Sequence, residues 1–358
     1  MTILVFPSSV EGSLTFLKEA RRHGRRVIGA SSLDCDPCAD SFDGWARLPY
    51  LQAPDFPKTW VELLGSQAIT HVFTAHAPTY HFLSQHPALL PDGVTLMAPS
   101  PYDLQSDLVR GAWDTLSERL AKIDGYAGKP ANYSEAFTAS LLHLARGMYG
   151  ECQEEKALAL CGVLADAPPG DVVEIGTFFG KSAFLLNRLA ANRGIGPVLA
   201  VDCWNMHASV QKESPVEIQS LSTVWDWEIV FKGFLLTTAA IAAGSLFNYL
   251  RKPSVEAWAV YDSGVPIVSP EFGEMHMLGR LALLHIDGNH DESAVRQDFA
   301  LWSRRLADGG WIVFDDYTWS HGDGPRKVAD EVVTELGARV LRRFVSGGAL
   351  FLKIAKDQ

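Results

Sequence analysis

LALLHIDGNHD, residues 281–291, together with GGWIVFDDYTW, residues 309–319, decides how the larger part of this chain folds. Leu281–Ile286 and Trp311–Phe314 are short apolar runs without polar alternation, the pattern of strands buried on both faces of a parallel sheet. Between them, DESAVRQDFALWSRRLADGG (291–310) sets Val295, Phe299, Trp302 and Leu306 on one helical stripe and closes on Gly309-Gly310. The unit is a strand–helix–strand crossover. It brings Asp287-Gly288-Asn289-His290 and Asp315-Asp316 to the carboxyl ends of neighbouring strands, where open α/β sheets bind ligands. Three carboxylates gathered at one edge repel one another unless a cation sits among them, so the sequence asks for a hard divalent ion.

The totals restrict the partners. At 358 residues, 47% hydrophobic and 20% charged, the chain has material for two domains with sizeable cores. A net charge of -11 excludes the basic footprint of nucleic-acid binding and suits a small-molecule enzyme. Five scattered cysteines make no disulfide framework, and Cys35 and Cys38 form a C-x-x-C without the second pair a zinc site needs. The opening MTILVFPSSVEG has no basic residue before its apolar run and reads as a first strand rather than a signal peptide, so a reduced, cytoplasmic setting is expected. GFLLTTAAIAAGSLFNYL (233–250) is uncharged and long enough to span a bilayer. Its Thr, Ala, Gly, Ser and Asn248 content, inside one continuous sheet, points instead to a buried helix followed by a turn. No membrane partner is expected.

The overall class is α/β with two Rossmann-like domains. In the first, strands at 2–7, 25–31 and 69–75 alternate with helices at 13–24 and 54–68. Its first turn, FPSSVEGS, lacks the dinucleotide fingerprint. The rhythm weakly resembles the pre-grasp domain of ATP-grasp enzymes. LVRGAWDTLSERLAKI (108–123) reads as one helix, and domain limits of 1–125 and 126–358 follow, the second carrying a lid-like insertion at 205–280. Helices at 133–150 and 152–167 lead to DVVEIGTFFGKSAFLLNRLA (171–190), a buried strand, a glycine turn and a helix.

That turn is neither of two familiar loops. Gly176 and Gly180 enclose one residue too few for a Walker loop, and Phe178 stands where a dinucleotide fingerprint needs glycine. The remaining E-x-G-x-x-x-G turn brings backbone close to a ligand without a pyrophosphate, and S-adenosylmethionine is such a ligand. PVLAVDCW (197–204) then ends in Asp202, placed for a ribose hydroxyl pair, and Trp204, placed to cover adenine.

Residues 150–355 resemble a class I S-adenosylmethionine-dependent O-methyltransferase of the metal-dependent, macrocin O-methyltransferase-like and cephalosporin hydroxylase-like subgroup. The resemblance rests on EIGTFFGKS (174–182), AVDCW (200–204), HIDGNHDESAVRQDFALW (285–302) and GGWIVFDDY (309–317), with RRFVSGGALFLKI (342–354) as an antiparallel final hairpin. It implies a cofactor site of Glu174, Gly176, Thr177, Gly180, Ser182, Asp202, Trp204 and Asp287. A Mg²⁺ or other divalent ion on Asp287, Asp315 and Asp316 would lower the pKa of an acceptor hydroxyl. Asp315 and Asp316 can both serve only if the chain turns at the strand end. His290 is the expected base. Asp291 reads as a helix cap, His285 as a buried structural residue and Lys181 as a surface residue. SVEAWAVYDSGVPIVSPEFGE (254–274) is a candidate lid over a small hydroxylated acceptor. Relatives commonly associate, so a homo-oligomer is a further expectation. The alternatives are a non-catalytic binding protein on the cofactor fold, or an ATP-dependent enzyme using the first domain.

Overall fold

A computed structural model describes residues 1–356 apart from Ala98 and Ala243. The chain divides into two compact units, Met1–Gly111 and Ala112–Gln358.

In the first unit, β1 (Thr2–Val5), β2 (Arg26–Ser31), β3 (Gly44–Arg47), β4 (His71–Phe73) and β5 (Thr95–Leu96) pair in parallel, in the order β3-β2-β1-β4-β5. Alternation along β1 feeds two separate apolar layers. Leu4 joins Phe56, Trp60 and Leu64 of α2 (Phe56–Ser66) and Leu83 of α3 (Ala77–Gln85), while Ile3 and Val5 join Leu17 and Ala20 of α1 (Glu11–Arg22). β3 and β5 were not legible in the sequence, being short and no more than half-buried.

The single helix expected at 108–123 is two. α4 (Pro101–Trp113) ends at a turn through Asp114-Thr115, and α5 (Leu116–Ala127) restarts. Within the second unit α5 packs on α7 (Glu154–Asp166), with Arg119 Nε donating to Glu154 Oε1 at 2.7 Å and Lys122 Nζ to Glu155 Oε1 at 2.9 Å. Gly162 permits the approach, since a Cβ there would stand 2.8 Å from the Ile123 carbonyl oxygen. α5 therefore belongs with the second unit, although the domain limit read from the sequence placed most of it in the first.

The second unit is built on a seven-stranded sheet in the order β13-β14-β12-β11-β6-β7-β8. The strands are β6 (Asp171–Ile175), β7 (Val198–Asp202), β8 (Phe247–Arg251), β11 (Leu281–Ile286), β12 (Leu306–Phe314), β13 (Val340–Ser346) and β14 (Ala349–Ile354). Only β14 runs antiparallel to its neighbours, which is the expected final hairpin. β6 and β11 are buried along their whole length under the two helical layers, and their polar residues Asp171, Glu174 and His285 are buried with them. α6 (Glu135–Arg146), α7, α8 (Lys181–Arg193) and α11 (Trp227–Ala242) form one layer. α12 (Ser254–Asp262), α13 (Glu292–Trp302) and α14 (Gly324–Leu336) form the other.

Residues 205–280 depart from expectation. After the short helices α9 (Met206–Ser209) and α10 (Val216–Leu221), α11 stops at Ala242 and residues 247–251 become edge strand β8 rather than a turn. α11 is not buried all round, for Leu236 is 88% exposed. Among the described residues no helix is long and apolar enough to cross a membrane. The segment expected as a lid folds as α12 and a hairpin of β9 (Ile267–Ser269) and β10 (Gly273–Met275). Buried Asn248 ties this hairpin down by donating to the carbonyls of Ile267 and Gly273 at 3.1 and 2.9 Å. Of this segment Ser254 and Val255, at the start of α12, line the cleft, and the earlier part lines it through residues including Gln211, Trp225 and Trp227.

Candidate active site

The cleft lies at the carboxyl ends of β6, β7, β8 and β11 and encloses about 510 Å³. Its floor is the turn after β6. Gly176 has φ +82°, and a Cβ on it would fall 1.9 Å from the carbonyl oxygen of Asp287, so the turn and the β11 tip meet backbone to backbone. Phe178 follows with φ +51°, a left-handed conformation that is costly for a bulky residue and must be held by its surroundings. The holders are Asp202 and Trp204. Asp202 Oδ2 accepts from the Thr177 and Phe178 amides at 2.9 and 3.0 Å, and the Trp204 indole donates to the Phe178 carbonyl at 2.9 Å.

One expectation holds its place and one is corrected. Asp202 lines the cleft, and its oxygens also accept from backbone, Oδ1 from the Trp204 amide at 2.7 Å. Trp204 does not cover a ligand. Its φ of +42° turns the ring inward, where it is 2% exposed and packs on Phe231 and Phe234. The aromatic surface in the cleft includes Phe178 and Trp225, whose rings meet edge-on at 5.2 Å. Sequence reading missed these two as site residues, although Phe178 was visible as the bulky residue in a glycine position.

Of the other expected cofactor residues, Gly176, Thr177, Ser182 and Asp287 line the cleft. Thr177 Oγ1 is buried there with no hydrogen-bond partner among the described residues, which suits an incoming polar ligand. Lys181, expected on the surface, lines the cleft too and donates to the Gly150 carbonyl at 3.3 Å. Gly180 does not line it. It precedes α8 at φ +86°, where a Cβ would stand 2.9 Å from the Phe234 ring.

Glu174 also sits behind the cleft, fully buried, with Oε1 2.9 Å from His285 Nδ1. Burial pushes the Glu174 carboxyl up to about 7 against the pull of Ser182 and Lys156. Burial, then the Lys156 charge, holds His285 down to about 3, so this ring is neutral and structural as expected. A carboxyl raised on folding contributes stability that is complete below its ordinary value and is lost as pH rises through the folded one. Glu174→Gln is therefore expected to flatten the fall in melting temperature between pH 5 and 8. The span corresponds to an effect on the order of 2–3 kcal/mol. Parallel pH series of thermal melts check this, and superimposable slopes would refute it.

The acid cluster divides in two. Asp315 continues the β12 ladder, its amide donating to the Ile286 carbonyl at 2.9 Å, and its side chain is only 10% exposed. Asp316 then takes φ +51°, and this is the turn that sends its carboxylate into the cleft. Asp287, His290 and Asp316 form one group there, their ligand-type atoms within 4.8 Å of one another. His285, Asp287 and Asp315 form a second, inner group. Lys156 of α7, with a side chain 1% exposed, donates from Nζ to Asp315 Oδ2 and to Asp287 Oδ2, the latter at 3.1 Å. The three carboxylates do not converge on one open point: Asp315 points at the ammonium, Asp316 faces the cleft and Asp287 does both.

His290 carries the chemistry in the outer group. Its Nε2 lies 2.9 Å from Asp316 Oδ2 and its Nδ1 3.1 Å from Gln211 Nε2. Trp319 packs edge-on against the ring at 4.7 Å, and Gly324 abuts the His290 carbonyl, 2.2 Å from where a Cβ would sit. Burial alone would raise Asp316, but the hydrogen bond and charge of His290 hold it below the ordinary carboxylate value. Asp291 stands at the N-cap of α13, yet its carboxylate accepts from the amides of Lys212 and Glu213 at 2.8 and 2.9 Å. It pins the cleft wall instead of capping the helix.

Residues 173–317, which contain both the glycine turn and the acid groups, match the model of a methyltransferase domain. The second unit carries a methyltransferase domain, and the enzyme is S-adenosylmethionine-dependent. The chain is also similar to solved O-methyltransferases. NovP is 13% identical over 71% of this chain and 99% of its own, with a TM-score of 0.42. The calicheamicin methyltransferase CalS11 is 12% identical over 84% and 93%, at 0.37. MycE of the mycinamycin pathway, solved with Mg, SAH and mycinamycin VI, is 12% identical over 52% and 45%, at 0.31. Scores of this size carry no argument about an acceptor or an ion for this methyltransferase.

Proposed function

We propose that the enzyme moves the methyl group of S-adenosylmethionine to a hydroxyl of a small acceptor, sugar-like or another specialised metabolite, with His290 as base. One observation carries the reading: the His290–Asp316 pair opens into the same cleft as the glycine turn. With the Nε2 proton directed at Asp316, the Nδ1 lone pair is left toward Gln211, and an acceptor hydroxyl replacing that amide would meet it. The hydroxyl proton passes to Nδ1, the oxygen bonds the methyl carbon, and the carbon–sulfur bond breaks to leave S-adenosylhomocysteine. Asp316 fixes the tautomer and stabilises the imidazolium, as a carboxylate does in any such dyad. Gly176, Thr177, Ser182 and Asp287 hold the cofactor, while Asp202, Trp204, Gly180 and Glu174 shape the turn that holds it.

A divalent ion of the Mg²⁺ class has a narrower seat than the sequence implies. Asp287 and Asp316, beside His290, supply oxygen ligands facing the cleft, and Asp315 is turned away from it. An ion there would polarise the acceptor oxygen.

Residues 205–231 line the cleft without filling it, which counts against the non-catalytic alternative. The test is incubation with methyl-labelled cofactor and a panel of hydroxylated small molecules. Label is expected in an ether product, reduced by chelator if the ion takes part. A panel without transfer, under conditions where S-adenosylhomocysteine binds, would contradict the acceptor class.

A further inference from the structure

The inner acid group holds a cation that the chain itself provides. Lysine is almost never fully buried unless paired, because removing its charge from water is costly. Lys156 is nonetheless enclosed, and its Nζ reaches one oxygen each of Asp287 and Asp315. Two carboxylates within hydrogen-bond reach are the pairing that a buried ammonium requires.

Its position is built by a distant part of the chain. Gly347, at φ +55° in the β13–β14 turn, lies so close to the helix that a Cβ would stand 2.5 Å from the Lys156 amide nitrogen. The neighbouring Ser346 hydroxyl donates to the Glu155 carbonyl at 3.1 Å. The hairpin thus presses the start of α7 against the strand tips and leaves the lysine no route to solvent.

We propose that Lys156 is a positioning residue that permanently takes the seat between Asp287 and Asp315, so that a divalent ion meets only the carboxylates of Asp287 and Asp316, beside His290. Asp315 is then an anchor of the lysine and not an ion ligand. Asp287 belongs to both groups, so the ammonium also fixes the carboxylate that the cleft uses. The inference shares a site with the proposed methyl transfer but not its evidence, because ion stoichiometry is read without cofactor or acceptor.

The experiment is a Mn²⁺ titration of the full chain followed by electron paramagnetic resonance, with thermal melts, on the wild type, Asp315→Asn, Lys156→Met and the Lys156→Met/Asp315→Asn double variant. Lys156→Met is expected to hold one Mn²⁺ more per chain than the wild type and to regain melting temperature as Mn²⁺ is added. The double variant should lose that extra ion and melt closer to the wild type than Lys156→Met does. Asp315→Asn alone should bind as the wild type does. If the wild type binds no ion, the proposed metal seat fails while the gain in Lys156→Met still supports the lysine. An unchanged ion count in folded Lys156→Met overturns the inference, as does a tenfold or greater loss of Mn²⁺ affinity in Asp315→Asn. Should Lys156→Met not fold, a folded double variant supports the pairing and an unfolded one overturns it.

Discussion

Gly176→Ala is expected to abolish S-adenosylhomocysteine binding and to destabilise the second unit by about 3–5 kcal/mol, more than most single substitutions do. Two effects combine at this residue. The φ of +82° is strained for any side chain, and the new Cβ would fall 1.9 Å from the Asp287 carbonyl oxygen and 2.4 Å from its carbon. Backbone cannot swing aside as a flexible side chain can. The β11 tip would have to withdraw, taking Asp287 and His290 with it. Gly194→Ala is the internal control: φ is +61° with nothing within 4 Å of the added methyl, so only the backbone cost of about 1–2 kcal/mol applies. Thermal melts and calorimetric titration with S-adenosylhomocysteine separate the two variants. Equal behaviour would show that the close approach at Gly176 is not a constraint.

His290→Ala is expected to lower kcat by about 10²–10⁴-fold once an acceptor is identified, with little change in cofactor affinity. Asp316→Asn should also act mainly on kcat, because the carboxylate 2.9 Å from Nε2 orients the ring and stabilises the imidazolium formed in the step. Pre-steady-state methyl transfer on both variants provides the check. An undiminished transfer rate in Asp316→Asn would detach the dyad from proton transfer.

Much of this was visible in the order of residues. Apolar runs without alternation identified β11 and β12, and the stripe Val295, Phe299 and Trp302 identified α13 between them. Leu306, expected on the same stripe, instead opens β12, so the helix ends earlier than Gly309-Gly310. Strand ends then located Asp287, His290 and Asp316. The parts that stayed hidden depend on long-range packing. Lys156, in EEKALALC, has the local look of a solvated helix residue, and its burial follows from Gly347 at the other end of the domain. Asp315 and Asp316 look equivalent in sequence, yet one positive φ separates an inner anchor from a cleft residue. Trp204 follows a cofactor-type acid but, also at positive φ, turns into the core. Backbone conformation of this kind at non-glycine residues has no dependable sequence signal, because it costs energy locally and is held by contacts made elsewhere.

A crystal of the full chain soaked with S-adenosylhomocysteine tests the account most directly. The account predicts the ligand across the carboxyl ends of β6, β7 and β11, its amino-acid end against Thr177 and Ser182 and its sulfur turned toward Asp287, His290 and Asp316. A ligand bound elsewhere, or one whose sulfur faces away from His290 with the dyad intact, would contradict it.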